Sequence, residues 1–140
     1  MRKLGIDYGE ARVGVALTDP LNITAQGLET IQRKASDKVI LRRLDEILSE
    51  YEIDTIVVGM PLNLKGEKTV RAEITEQFIH KLKCKYNKIK IETIDERLTT
   101  VAAHKTMNFL EVNKNKKRDI VDTISAVYIL ETYINKLKNI

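Results

Sequence analysis

The pattern of apolar and polar positions changes period about a quarter of the way along the chain. Lys3 to Tyr8 is short and mostly apolar, and Gly9-Glu10-Ala11 reads as a turn. Arg12 to Thr18 alternates, with Val13, Val15 and Leu17 sharing one face. Asp19-Pro20-Leu21-Asn22 reads as a second turn, where proline pre-sets its φ. Ile23 to Ile31 predicts a third strand, interrupted by Gly27. Short turns between three strands predict an antiparallel meander.

Helical spacing follows. Ser36 and Asp37 are suited to cap a helix on which Ile40, Leu41, Leu44, Ile47, Leu48 and Tyr51 recur. The β-branched run Asp54 to Gly59 lacks alternation, as in a strand buried on both faces. Met60 to Gly66 predicts a loop. Val70, Ile74, Phe78 and Leu82 predict a helix from about Glu67 to Cys84. Lys88 to Ile94 predicts another strand, and Thr99 or Thr100 a short helix through Ala102, Ala103 and Met107. Asn113 to Lys117 reads as a polar, basic break before a last helix from about Arg118 to Leu137. The order β-β-β-α-β-α-β-α-α predicts an α/β fold with a mixed sheet. Its later strands run parallel to the first through right-handed crossovers.

Length and composition narrow this picture. The 140 residues, 43% hydrophobic and 31% charged, fit one globular domain spanning 1–140. No apolar run approaches the roughly 20 residues of a membrane span. Asp7 comes too early for a signal peptide, so a cytoplasmic location is expected. Cys84 is the only cysteine, which excludes an internal disulfide. The net charge of +4 is unevenly spread: residues 1–80 carry 11 Lys/Arg and 13 Asp/Glu, residues 81–140 carry 13 and 7. A basic half is compatible with a polyanionic partner and equally with a solvated lysine-rich surface.

Three acidic sites fall where chemistry would need them. Asp7 lies near the end of the first strand, and Asp95 and Glu96 end the last one. Asp119 and Asp122 are expected in the first turn of the final helix, one turn apart. In an open sheet the crevice forms outside the carboxyl ends of the parallel strands. Carboxylates gathered there repel one another unless a divalent cation sits between them. Two such ions about 4 Å apart would clamp both oxygens of a phosphodiester displacement. Each acid also has an ordinary reading. Asp7 can cap its turn, Asp95 and Glu96 can pair with Arg97, and Asp119 and Asp122 can favour a helix N-terminus. Arg12, across the first turn from Asp7, is suited to a phosphate or to a plain hairpin. Lys114, Lys116, Lys117 and Arg118 are suited to a nucleic-acid backbone or to a solvated loop. Gly59 to Gly66 resembles a phosphate-approaching loop but lacks the Gly-Lys-Ser/Thr ending of an NTP site.

Four segments together resemble the YqgF (RuvX) family. They are Leu4-Gly5-Ile6-Asp7-Tyr8-Gly9 with Arg12-Val13-Gly14-Val15-Ala16; Val57 to Asn63 with Gly66; Asp95-Glu96-Arg97-Leu98-Thr99-Thr100; and Asp122 with Ser125-Ala126 and Ile129-Leu130. Ser125 stands where the family usually has alanine. The resemblance implies an RNase H-like fold: three layers around a mixed five-stranded sheet in the order 3-2-1-4-5. It implies a metal-dependent nuclease using Mg²⁺ or Mn²⁺, with two ions, on the 5′ end of pre-16S ribosomal RNA. An alternative is a Holliday junction resolvase acting on branched DNA, or a nucleic-acid-binding assembly factor without catalysis. Carried over by position, Asp7, Glu96 and Asp122 are the expected catalytic and metal-binding acids, with Asp95 and Asp119 as alternates. Glu96 is preferred because adjacent strand residues point to opposite faces. Arg12, Arg97, Lys114, Lys116, Lys117 and Arg118 are the expected nucleic-acid contacts, in a monomer or a homodimer without a membrane partner. Gly5 to Gly9 also resembles the first phosphate loop of sugar kinases, which need a second lobe that 140 residues do not accommodate.

Overall fold

The computed structural model describes residues 1–33, 36–98 and 114–138; the side chains of residues 98 and 114–122 lie outside that description. The elements are β1 (Arg2–Tyr8), β2 (Arg12–Thr18), β3 (Ala25–Gln32), α1 (Asp37–Glu50), β4 (Ile53–Met60), α2 (Val70–Lys85), β5 (Lys90–Asp95) and α3 (Lys114–Lys138), with a 3₁₀ turn at Glu96–Leu98. The sheet order is β3-β2-β1-β4-β5. β2 runs antiparallel to β1 and β3, while β4 is parallel to β1 and β5. The mixed five-stranded topology is therefore the expected one.

Strand alternation sorts the core onto two faces. Leu4, Ile6, Tyr8, Val13, Val15, Ile56 and Val58 pack with Ile40, Leu44 and Ile47 of α1 and Phe78 and Leu82 of α2. On the other face Ala16, Val57 and Ile94 pack with Ala126, Ile129, Leu130 and Tyr133 of α3. This second layer is built from smaller side chains, which lets α3 lie close to the strands. A Cβ placed on Gly5 would come within 2.5 Å of Leu130 Cγ and 2.9 Å of the Ala126 carbonyl oxygen.

Several boundaries differ from expectation. β3 begins at Ala25, because the Asp19 carboxylate accepts the amides of Leu21, Ile23 and Thr24 at 3.0, 2.7 and 2.7 Å and keeps Ile23 in the turn. α2 begins at Val70, capped by Thr69 rather than entered at Glu67. Val70, expected in the apolar stripe, is 72% exposed, and Ala72, Thr75, Phe78, Ile79 and Leu82 are buried instead. Steps of four drift by about 40° each on a 3.6-residue helix, so a stripe extended back from Phe78 leaves the buried face. β5 starts at Lys90 rather than Lys88 and includes Asp95. α3 starts at Lys114, so Lys114, Lys116 and Lys117 are helical rather than a break. Lysine is a good helix former, and a charged run does not end a helix by itself. Asp119 and Asp122 consequently lie beyond the first helical turn, where the expected macrodipole reading no longer applies. The short helix predicted after Thr99 falls outside the described residues.

Candidate active site

The site begins with the last two residues of β1. Tyr8 faces α1 and α2: its ring stacks on Phe78 at a centroid distance of 4.1 Å, and its hydroxyl donates to Asp37 Oδ1 at 2.6 Å. Burial and that hydrogen bond raise the phenol pKa well above its ordinary range. Asp37 also receives Lys81 Nζ at 2.9 Å and Arg33 Nε at 3.2 Å. Burial pushes its carboxyl pKa up, but the bonds from Lys81 and Tyr8 and the two cations outweigh this and hold it low. The network pins the end of β1. By alternation Asp7 then takes the opposite, α3-facing side with Gly5. It is only 3% exposed.

A tight turn follows. The Gly9 amide donates to the Arg12 carbonyl at 3.0 Å, and a Cβ at Gly9 would sit 2.5 Å from that same oxygen. Only glycine fits this approach. The turn folds Arg12 back beside the end of β1, as the spacing predicted.

The second carboxylate comes from the end of β5. Ile94 belongs to the α3-side core, and Glu96, the first residue of the 3₁₀ turn after β5, reaches the same side beside Gly59 and Ile129. A Cβ at Gly59 would meet Ile129 Cδ1 at 2.5 Å and Glu96 Oε1 at 2.7 Å, so Gly59 leaves the space that Glu96 fills. Asp95 is used differently. Arg97 grips it through Nη2 at 2.6 Å and through Nε at 2.9 and 3.1 Å to the two carboxylate oxygens, and its backbone amide adds a bond at 2.9 Å. The hydrogen bond from Arg97 holds the Asp95 carboxyl below its usual range and raises the Arg97 pKa.

These residues surround a cleft of about 350 Å³ lined by Asp7, Tyr8, Gly9, Glu10, Ala11, Arg12, Pro61, Arg71 and Glu96. Asp7, Arg12 and Glu96, picked out from sequence, therefore meet in one place. Asp95 and Arg97 do not line it. Asp122 lies on α3 one turn before Ala126, the residue whose carbonyl backs Gly5, and Asp119 lies nearly a turn further out. The side chains of Asp119 and Asp122, with those of Lys114, Lys116, Lys117 and Arg118, are outside the description. The donors fit a hard divalent cation: the cleft presents carboxylate oxygens, and among the described residues no histidine or cysteine lines it. Among the described residues no three His, Cys, Asp or Glu form a metal cluster, and Mg²⁺ commonly takes only one or two protein carboxylates, with waters and phosphates filling its other positions.

The loop after β4 contributes less than its glycines promised. The Asn63 side chain accepts the amides of Lys65 and Glu67 at 3.0 and 2.9 Å, and its carbonyl accepts that of Gly66 at 2.9 Å. Those amides are spent inside the loop, and Pro61, the loop residue that reaches the cleft, has no N–H to offer. Arg71, on the first turn of α2, reaches the cleft instead. No sequence motif marked it. The hint was a lone cation early in a helix, where the macrodipole disfavours positive charge.

Comparison with known proteins agrees with this geometry. The RuvX family model, described as "Holliday junction resolvase", matches residues 1–136. A protein of Ruminiclostridium cellulolyticum named "Putative pre-16S rRNA nuclease" is 51% identical over 98% of this chain and 96% of its own length. A protein of the same name from Acetivibrio thermocellus is 47% identical over 96% of each chain. Among solved structures, Thermus thermophilus RuvC in complex with a Holliday junction superposes with a TM-score of 0.57 at 14% identity, covering 97% of this chain and 96% of that one. The fowlpox virus Holliday junction resolvase gives 0.54 at 16% identity, covering 98% and 99%. These two likenesses establish an RNase H-like, RuvC-like fold. With nearly its whole length matched, and with relatives about half identical to it, the chain belongs to the RuvX family.

Proposed function

We propose that this protein is a divalent-metal-dependent nuclease that hydrolyses phosphodiester bonds at the 5′ end of pre-16S ribosomal RNA, in the cytoplasm. The observation that carries the proposal is the meeting of Asp7, from β1, with Glu96, from the end of β5, in one cleft beside Arg12. The names of the close relatives point to the same substrate. Asp7, Glu96 and Asp122 hold Mg²⁺ or Mn²⁺; when bound, the ions supply Lewis-acid stabilisation of the charge that builds on the phosphate and a more acidic water. The chain's own part is positional. The Tyr8–Asp37 network fixes the strand end that carries Asp7, the glycine turn sets Arg12 beside it, and Arg12 orients the phosphate. Lys114, Lys116, Lys117 and Arg118, on the first turns of α3, grip the flanking backbone.

The test is incubation with Mg²⁺ or Mn²⁺ and a panel of precursor rRNA ends, single strands and four-way DNA junctions, with Asp7→Asn alongside. Metal-dependent cleavage of the rRNA end, lost in Asp7→Asn, is the expected result. Equal cleavage by both proteins removes Asp7 from the mechanism. Failure on every substrate by a folded protein favours a non-catalytic assembly factor. The family description and the RuvC-like fold favour one second reading, junction resolution. That activity cuts two symmetry-related strands and needs a two-fold dimer. A monomer in solution that cleaves the rRNA end counts against it.

A further inference from the structure

Arg71 is held in place by one arm. Its Nη2 donates to the Tyr8 carbonyl at 2.5 Å, and its guanidinium carbon lies 5.9 Å from the Tyr8 ring centroid. Its Nη1 is buried and has no hydrogen-bond partner among the described residues. An ionised donor left unpaired out of water is costly, and a protein removes such costs unless the group has a task. The position adds a second cost, since a cation on the first turn of a helix opposes the macrodipole. Arg71 lines the cleft that holds Asp7, Arg12 and Glu96. A strand entering that cleft brings phosphate charge towards the carboxylates of Asp7 and Glu96, so cations must be fixed opposite them. Arginine suits this because its fork offers several parallel donors to phosphate oxygens.

From this we propose that Arg71 is a substrate-binding residue that takes the phosphate next to the one cut. A turn of its long side chain gives the unpaired Nη1 to a non-bridging oxygen, while Nη2 keeps its hold on the Tyr8 carbonyl. Tyr8 directly follows Asp7, so this anchor ties the bound phosphate to the acid and sets which bond along the strand meets it. The inference rests on the nuclease reading above for the identity of the anion.

The test is binding of a short fluorescein-labelled single-stranded RNA, followed by anisotropy with EDTA present so that nothing is cleaved. Wild type, Arg71→Gln and Arg71→Lys are titrated across about 50 to 200 mM salt. Arg71→Gln is expected to bind about tenfold more weakly, and its log K against log[salt] slope to shrink by about 0.7, the release of one phosphate's counterion from a single strand. Arg71→Lys is expected to keep the slope, being still a cation, and to lose affinity, being a point charge rather than a fork. A folded Arg71→Gln with wild-type affinity and slope overturns the inference and leaves the nuclease reading standing. Should Arg71→Gln fail to fold, wild-type affinity in Arg71→Lys overturns it. Wild-type protein that binds no strand overturns the Arg71 inference, and the nuclease reading stands or falls with the metal-dependent cleavage assay above.

Discussion

The two faces of the sheet are built by opposite rules. On the α1/α2 face, large side chains interlock: Tyr8 stacks on Phe78, and Leu4, Ile6, Ile40, Leu44 and Leu82 are buried around them. Charges on that side meet partners from the chain itself, as in the group of Tyr8, Arg33, Asp37 and Lys81. On the α3 face, glycine and alanine let a helix approach, and at the strand ends Asp7, Glu96 and Arg12, joined by Arg71 from α2, border an open cleft. The first arrangement is a device for stability. The second spends stability to hold charged groups where a ligand can reach them.

The strongest way to break this division is to truncate one residue from each side. Phe78→Ala removes a ring with no exposed surface and is expected to cost about 3 to 5 kcal/mol. Denaturant unfolding reads that loss, and cleavage per folded molecule should fall only modestly, because the hydrogen bond from Tyr8 to Asp37 remains to hold the strand end. Glu96→Gln should do the reverse, with a melting temperature close to wild type and a turnover about a hundredfold or more lower. If Phe78→Ala abolishes cleavage while still folded, or Glu96→Gln unfolds the protein, the two faces are not separable in this way.

The first face was legible in the sequence almost throughout. Alternation in β2 and helical spacing in α1 are strong periodic signals, and both elements appear where they were expected. A mixed sheet whose later strands run parallel to the first followed from the short turns and the crossovers, and the order 3-2-1-4-5 came with the family resemblance. The second face was legible at Asp7, Glu96 and Arg12, while the side chains of Asp119 and Asp122 lie outside the described residues. Asp7, Glu96 and Arg12 stand beside turns and strand ends, where a single residue signals its own place. Arg71 acts through a distance of 63 residues along the chain, to the Tyr8 carbonyl, and no local pattern encodes such a contact. The Gly59 to Gly66 loop misled for a related reason. Its composition offered free amides, but whether they are free depends on the rotamer of Asn63, which takes two of them.

A smaller change sharpens how the faces communicate. Gly59→Ala places a methyl group where Ile129 Cδ1 and Glu96 Oε1 now stand, at 2.5 and 2.7 Å. Both are ends of flexible side chains and can yield, so the stability loss should be about 1 to 3 kcal/mol, the range of an overpacked site. The carboxylate cannot yield without leaving its position, and a displacement near 1 Å can cost about a hundredfold in rate. Turnover is therefore expected to fall by more than the shift in melting temperature suggests. Wild-type turnover in a correctly folded Gly59→Ala would mean that Glu96 need not be held where it is.

The smallest effect is expected at the residue beside Glu96. Asp95 is bound by Arg97 in a partly exposed pair, and such pairs give little stability because water and salt screen them. Arg97 depresses the Asp95 carboxyl pKa, more than burial raises it. A carboxyl lowered on folding contributes above its unfolded value and loses that contribution as the pH falls through its folded value. Asp95→Asn should therefore leave turnover near wild type, lower the neutral-pH melting temperature slightly, and flatten its fall on the acid side. Melting curves at neutral and acid pH, together with cleavage assays, compare it directly with Glu96→Gln. A large loss of cleavage in Asp95→Asn would reverse the choice between the two neighbours. It would also mean that the Asp95–Arg97 pair opens when substrate arrives, because neither residue lines the cleft as it stands.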